Sequence, residues 1–297
     1  MSGILLIDKS PGPTSFDVVR RVKGLLKVRK VGHLGTLDPF ATGLLVLCLG
    51  QATKLAPFLM GEPKTYEAII RLGVATDTQD LTGEVIAHSD KLPEPEEVFA
   101  AAARFVGEIE QIPPMYSAVH HQGQRLYKLA RRGQEVERRP RPATIHRLEV
   151  VKLALPEVAV TVTCSAGTYI RTLAADLGAA LGCGGHLTAL RRLAAGPFRV
   201  EDALTLEALG QMTLEERRKR LIPLPNCLPG LPAVVVGEGE ARRLRQGQAI
   251  LGLINGFQPG QRVRVLAGPE LVAVAQVRHA AGQLALTPLR VFHGSEQ

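Results

Sequence analysis

The sequence predicts an α+β protein with a larger part, residues 1–225, in which strands and helices alternate, and a small all-β part, residues 226–297. Over the larger part, apolar residues keep switching between the two-residue period of strands and the 3.6-residue period of helices. A proline-rich break, PLPNCLPGLP from Pro223 to Pro232, then interrupts the chain. Beyond it LPAVVV, RVRVL, LVAVAQVR and LALTPLRVF are short β-type runs between glycine turns, the texture of a small β-barrel.

GILLID, Gly3 to Asp8, is a short apolar run closed by the turn KSPGPTS and reads as a buried strand. In SFDVVRRVKGLLKVRK, residues Phe16, Val19, Val22, Leu25 and Leu26 recur at helical spacing, with Thr14 or Ser15 as N-cap. LLVLCLG reads as a buried strand and QATKLAPFLMG as a short helix. Tyr66, Ala68, Ile70 and Leu72 share one strand face. PEPEEVFAAAARFVG starts with proline and acids, so it is a helix, with Val98, Ala102, Phe105 and Val106 on its apolar side and Gly107 as terminator. The arginine-dense stretch from Gly123 to Pro142 ends in RRPRP, whose prolines bar a helix; it reads as a surface excursion. Val158, Val160, Val162 and Cys164 alternate on a strand face, and Ile170, Leu173, Leu177 and Leu181 follow with helical period. Tyr169 and Arg171 therefore fall at a strand-to-helix junction.

With 297 residues and 45% apolar content the chain is globular, and a formal charge of +8 suggests a polyanionic partner, nucleic acid or an anionic membrane surface. Arg20, Arg21, Lys23, Lys27, Arg29 and Lys30 stand between Asp17 and Asp38 without an intervening acid, as a solvated face or an RNA-facing one. The four cysteines read as reduced thiols, and Cys183 with His186 lacks the second pair that a structural zinc site needs. No run approaches the roughly 20 apolar residues of a membrane helix, and no basic leader precedes a long apolar stretch. The expectation is a cytoplasmic protein that meets no membrane.

Asp38 stands in GHLGTLDPFATG, a loop of glycines and small residues. Proline after it pushes its backbone toward an extended form, and the glycines permit tight turns and close approach to a ligand. A carboxylate so displayed is a nucleophile, a base or a metal ligand, or else it caps a turn through its own backbone. The nearby TDTQD lacks the spacing of a calcium loop. A guanidinium such as Arg171 would keep the carboxylate ionised, although spacing alone does not bring the two together. Tyr66 is either core or an aromatic platform. Phosphate-loop, HEXXH and GXGXXG patterns are absent.

Six stretches together resemble the TruB-type tRNA pseudouridine synthases: GILLIDKSPGPTS, VGHLGTLDPFATGLLVLCLGQATKL, KTYEAIIRLGVATDTQDLTGEV, QIPPMYSAVHHQGQRLYKLARRG, CSAGTYIRTLAADLG and LTALRRLAAGPF. The resemblance implies the pseudouridine synthase fold, a central mixed and mainly antiparallel sheet flanked by helices, followed by a PUA-like β-barrel. It implies isomerisation of uridine to pseudouridine at position 55 in the T loop of tRNA, by a monomer that needs no metal and no cofactor. Asp38 falls on the catalytic aspartate, Arg171 on its arginine partner in place of a second acid, and Tyr66 on the aromatic that stacks on the target base. His33, Tyr169, Leu190 and Lys9 fall on substrate-binding positions. The pattern departs at His120, where many relatives carry lysine, and at Gln261, where PUA modules often carry an acid. A tRNA-binding folding chaperone and a guide-RNA-dependent synthase are the alternatives.

Overall fold

The computed structural model describes residues 1–117, 119–121, 123–130, 132–252, 256–280 and 282–293, and the side chains of 120, 121, 125, 127 and 128 lie outside the described residues. The expected departure at His120 therefore lies outside them too. The described residues form a sheet of ten strands. Its main path runs Leu204–Thr205, Gly3–Lys9, Thr42–Leu49, Gly185–Ala195, Lys64–Leu72, Glu157–Cys164, Arg141–Ala154 and Gly107–Gln111, and the short strands Val31–His33 and Phe198–Arg199 attach beside it. Two pairings are parallel, that of Gly3–Lys9 with Leu204–Thr205 and that of Gly185–Ala195 with Thr42–Leu49. The rest are antiparallel, so the sheet is mixed and mainly antiparallel as expected.

Burial explains the two kinds of strand sequence. Lys64–Leu72 alternates, with Tyr66, Ala68, Ile70 and Leu72 inside, because only one of its faces is covered. Gly3–Lys9 and Thr42–Leu49 are apolar almost throughout because both faces are covered. Leu5, Ile7, Leu45 and Leu47 join one core with the helices Ser15–Leu26 and Ile170–Ala180. Ile4, Leu6, Leu44, Val46 and Cys48 join a second with Leu271, Val274 and Phe292 of the C-terminal part.

Ser15–Leu26 begins with a capping box: Asp17 N–H donates to the Thr14 hydroxyl, and the Asp17 carboxylate accepts from the Thr14 backbone. Phe16, expected on the buried face, is 69% exposed, and Val18 takes the place inside. Ser15 turns inward to the Asp38 loop, which fixes the rotation of the first turn and leaves Phe16 outside. The expected short helix after Thr42–Leu49 is a 3-10 helix, Gly50–Leu55, continued by one α-turn, Ala56–Leu59. Pro95–Arg104 stops before Gly107, whose φ of 110° opens the next strand, and Val106 is exposed. Within the expected excursion Leu126–Ala130 is helical, with Leu126 and Leu129 buried.

The C-terminal part is a second, five-stranded sheet, the curled PUA-like element expected, in the order Ala233–Val235, Arg262–Ala267, Glu270–Ala280, Gln283–Val291 and Ile250–Leu251. Lys54 on the 3-10 helix donates to the Val291 carbonyl at 2.9 Å and lies over the Phe292 ring, while Gln51 exchanges two hydrogen bonds with the His293 backbone. Among the described residues no helix is long and apolar enough to cross a membrane.

Glycine is required at residue 43, where φ is +94° and an added Cβ would lie 2.8 Å from the Arg192 nitrogen and closer still to its carbonyl oxygen. Gly43→Ala should cost on the order of 2–3 kcal/mol in urea unfolding. Gly24→Ala, in a helix with open space around it, should add about 0.5–1 kcal/mol.

Candidate active site

The segment from Gly35 to Ala41 is held from three sides by buried polar groups. Ser15 Oγ donates to the Leu37 carbonyl at 3.1 Å and accepts from its N–H at 2.8 Å. Lys9, 1% exposed, donates to the carbonyls of Ser10, Pro39 and Ala41 at 2.7–3.0 Å. Arg192, equally buried, donates through Nε to Leu44 O, through Nη2 to Gly35 O and through Nη1 to Thr36 O. Buried polar groups need such partners, and these three cannot be met unless the loop closes as observed. The loop thereby presents Asp38 with its side chain 30% exposed.

Arg171 meets that carboxylate from the start of the helix Ile170–Ala180. Its Nε lies 3.0 Å from Asp38 Oδ2, and its Nη2 donates to Oδ1 at 3.3 Å. On its other side Nη1 lies 3.5 Å from Asp80 Oδ2 and donates to the Thr78 carbonyl at 3.3 Å, while Nη2 also donates to the Tyr116 carbonyl at 2.7 Å. The expected pairing is present, and a second acid that the sequence reading did not assign, Asp80 in TDTQD, stands on the far side of the same guanidinium. Asp80 Oδ1 accepts from Thr78 Oγ1, Thr82 N and Thr82 Oγ1, so its other oxygen is held toward Arg171. Gln79, at φ 63°, turns the loop and accepts from Thr172 on the same helix.

Burial pushes the Asp38 carboxyl above the usual aspartate range; Arg171 pulls it back down and Asp80 pushes it up. Burial lowers the Lys9 ammonium to about 8, against the pull of Asp38. Tyr66 is 7% exposed; burial raises its hydroxyl, and Arg192, its cross-strand neighbour, opposes the rise through charge and a hydrogen bond.

Arg171, Lys9 and Tyr66 thus each interact electrostatically with Asp38. Leu190 is buried in the same apolar cluster as Tyr66 and Leu37. Tyr169 caps the helix ahead of Arg171 and is tied through its backbone to both ends of the Gln111 amide. His33 ends the strand before the loop, and its Nδ1 accepts from Gly35 N at 3.4 Å. Sequence reasoning missed Asp80 and Arg192. For Arg192 a signal existed: counting by two from buried Leu190 puts it inside and Arg191 outside, where Arg191 pairs with Asp8.

The model for the N-terminal domain of TruB family pseudouridylate synthases matches residues 23–170, and the model for the tRNA pseudouridylate synthase B C-terminal domain matches residues 171–229. The chain belongs to the TruB family. A protein of Burkholderia pseudomallei named tRNA pseudouridine synthase B is 49% identical over 281 residues, which are 93% of each chain. One of the same name from Ralstonia nicotianae is 47% identical over 98% of this chain and 94% of its own. Among solved structures, an H/ACA ribonucleoprotein bound to a substrate RNA containing 2′-deoxyuridine includes a chain 27% identical, with a TM-score of 0.75 over 99% of this chain and 86% of that one. In this TruB chain the two family models meet at Arg171, so the carboxylate and its guanidinium partner come from different models.

Two outcomes follow from the geometry. Asp80→Asn removes a charge from Arg171 and frees it to shift, so turnover should fall about 10²-fold, with the melting temperature showing that the fold survives. Lys9 holds the loop with an ammonium; above about pH 8 it loses one of three donors and its charge beside Asp38. The kcat/KM profile should therefore decline on the alkaline side near that pH, and Lys9→Gln should remove this limb.

Proposed function

We propose that this chain converts uridine to pseudouridine in tRNA, at position 55 of the T loop, with Asp38 as the reacting carboxylate. The observation that carries the reading is the Asp38–Arg171 pair. A carboxylate 30% exposed and gripped side-on by a buried guanidinium is fixed in place, and the guanidinium opposes the rise in its pKa that burial causes. Family membership and relatives named tRNA pseudouridine synthase B over nearly the whole chain support the reaction and the tRNA substrate. The T loop and position 55 rest on the sequence resemblance.

The reaction breaks the bond between N1 of the base and C1′ of the ribose, turns the base, and joins C5 to C1′. The proton on C5 is lost and one is gained at N1, so the base is isomerised without net loss. The nucleotide must first leave its stack, at a cost of a few kcal/mol. The sequence resemblance assigns Tyr66, buried below Asp38, to stack on the base; Leu190 is an apolar wall, and His33 and Tyr169 flank the loop and the helix start. Asp38 attacks C6 of the base, attacks C1′, or removes a ribose proton; each route requires its ionised form. The exposed Arg20, Arg21, Lys23, Lys27, Arg29 and Lys30, with the 226–297 part, supply charge for phosphates.

Tritium at C5 of uridine 55 in a tRNA transcript reports the reaction directly. Wild-type protein should release it without any guide RNA, and Asp38→Asn should release none while tRNA affinity stays within a few-fold. Normal turnover by Asp38→Asn would remove Asp38 from the chemistry; binding without release by the wild type would favour a chaperone. Activity that appears only with a guide RNA would place the chain with the ribonucleoprotein synthases. As Asp38 titrates above the ordinary aspartate range, activity should be lost on acidification through a pKa above 3.8. Raising salt from 50 to 200 mM should weaken tRNA binding at least tenfold.

A further inference from the structure

The helix Ser15–Leu26 borders two hollows of different charge. The groove along its flank mixes Arg20 and Arg21 with Asp17 and Glu207. The pocket at its C-terminal end, of about 400 Å³, is lined by Lys27, Arg29, Lys30 and Arg218, and no acid is among its described lining residues. All four cations are exposed, and among the described residues none of them has an ion pair or a side-chain hydrogen bond. The pocket is built by contacts on both sides. Arg217 donates from Nη1 to the Leu25 carbonyl in the last turn of the helix, from Nε to Leu209 O and from Nη2 to Gly210 O, each at 2.8 Å. The short helix Leu214–Lys219 is thereby pinned to the end of the longer one, with Arg218 on the pocket. On the other side Gly50 N–H donates to the Lys30 carbonyl at 2.9 Å. The acids of the short helix are engaged elsewhere, Glu215 by Lys219 and Glu216 by Thr213.

Four like charges around one pocket repel each other, and a bound anion relieves that repulsion. Lys27 adds a second sign of the same purpose. It caps the helix with left-handed backbone at φ 52°, where glycine is the easier residue, so the chain keeps a cation there against the local preference. We propose that this pocket binds a backbone phosphate of the tRNA outside the reacting nucleotide. This rests on the tRNA substrate proposed above and assigns a site that includes Arg218, which the motif resemblance does not. The helix sets the spacing. Ser15 in its first turn bonds the Asp38 loop, and the pocket lies past its last turn, about 17 Å away at 1.5 Å per residue. A phosphate held there belongs to another part of the RNA whose uridine meets Asp38. The pocket therefore contributes affinity and orientation and takes no part in making or breaking bonds.

The test compares Arg218→Ala and Lys27→Gly with Lys219→Ala, which removes one charge from the same short helix but from outside the pocket. For each, affinity for a tRNA transcript is measured across a salt series, with single-turnover tritium release at saturating enzyme and the melting temperature. Arg218→Ala should weaken binding about fivefold and flatten the slope of log affinity against log salt by about 0.9, the share of one phosphate. Lys27→Gly should weaken binding likewise while its melting temperature stays level or rises. Release at saturation should keep the wild-type rate in both, and Lys219→Ala should bind within about twofold of the wild type. Wild-type affinity and salt slope in Arg218→Ala would overturn the inference. An equal loss in Lys219→Ala would do the same, since only net charge would then matter, and so would a melting temperature that falls in step with affinity. Wild-type protein that binds tRNA through the pocket yet releases no tritium would sink the proposed reaction and leave the pocket standing; wild-type protein that binds no tRNA would sink both.

Discussion

The Arg171 guanidinium, 5% exposed, is the point on which the architecture of the site turns. A cation so buried is tolerable only when its charge and its donors are met, because the penalty for leaving it unmet is several kcal/mol. Here Asp38 and Asp80 meet the charge from opposite sides, and the carbonyls of Thr78 and Tyr116 take up further N–H donors. Three stretches of chain far apart in sequence are thereby brought to one group: the loop around Asp38, the turn from Thr76 to Thr82, and the crossing at Tyr116. None can move away without stranding charge. A single helix start thus fixes both the place and the ionisation of the carboxylate.

A second arginine does related work with different partners. Arg192 is fully buried, but its donors go to backbone carbonyls at Gly35, Thr36 and Leu44, so it shapes the loop rather than balancing an acid. Gly43 lets its strand come close enough for that, because any side chain there would strike the Arg192 backbone. Lys9 completes the enclosure from the end of its strand. The positive charge around Asp38 therefore divides in two. Buried cations hold the loop and the carboxylate, while Arg21, Lys23, Lys27, Arg29 and Lys30 are exposed, as is Arg20, which pairs with Asp17.

Much of this was legible in the chain. The alternation through Tyr66 and Val158 reports strands covered on one face, and GILLID and LLVLCL report strands covered on both. What the pattern could not carry was contact across 133 residues, the separation of Asp38 from Arg171, because nothing local encodes which strand lies beside which. Asp80 was hidden for another reason. Its stretch resembles an incomplete metal loop, whereas its threonines serve to satisfy one carboxylate oxygen and aim the other. Phe16 misled because helical periodicity gives faces but not the rotation of the first turn, which Ser15 sets by reaching for Leu37.

The opposing influences on Asp38 bear on how the site works in the proposed reaction. Burial already raises its proton affinity, and Arg171 holds the rise in check. Water still reaches the 30% of the side chain that is exposed. In that reaction an incoming nucleotide would displace that water, which strips hydration from the carboxylate and strengthens every remaining charge interaction at the same time. Arg171 cannot follow the carboxylate toward the substrate, because Asp80 and two carbonyls hold its far side. Asp38 then faces the substrate with weaker hydration and a fixed partner. The second acid thus keeps the arginine from neutralising the first too well, and a carboxylate that was stable in water becomes reactive when the site fills.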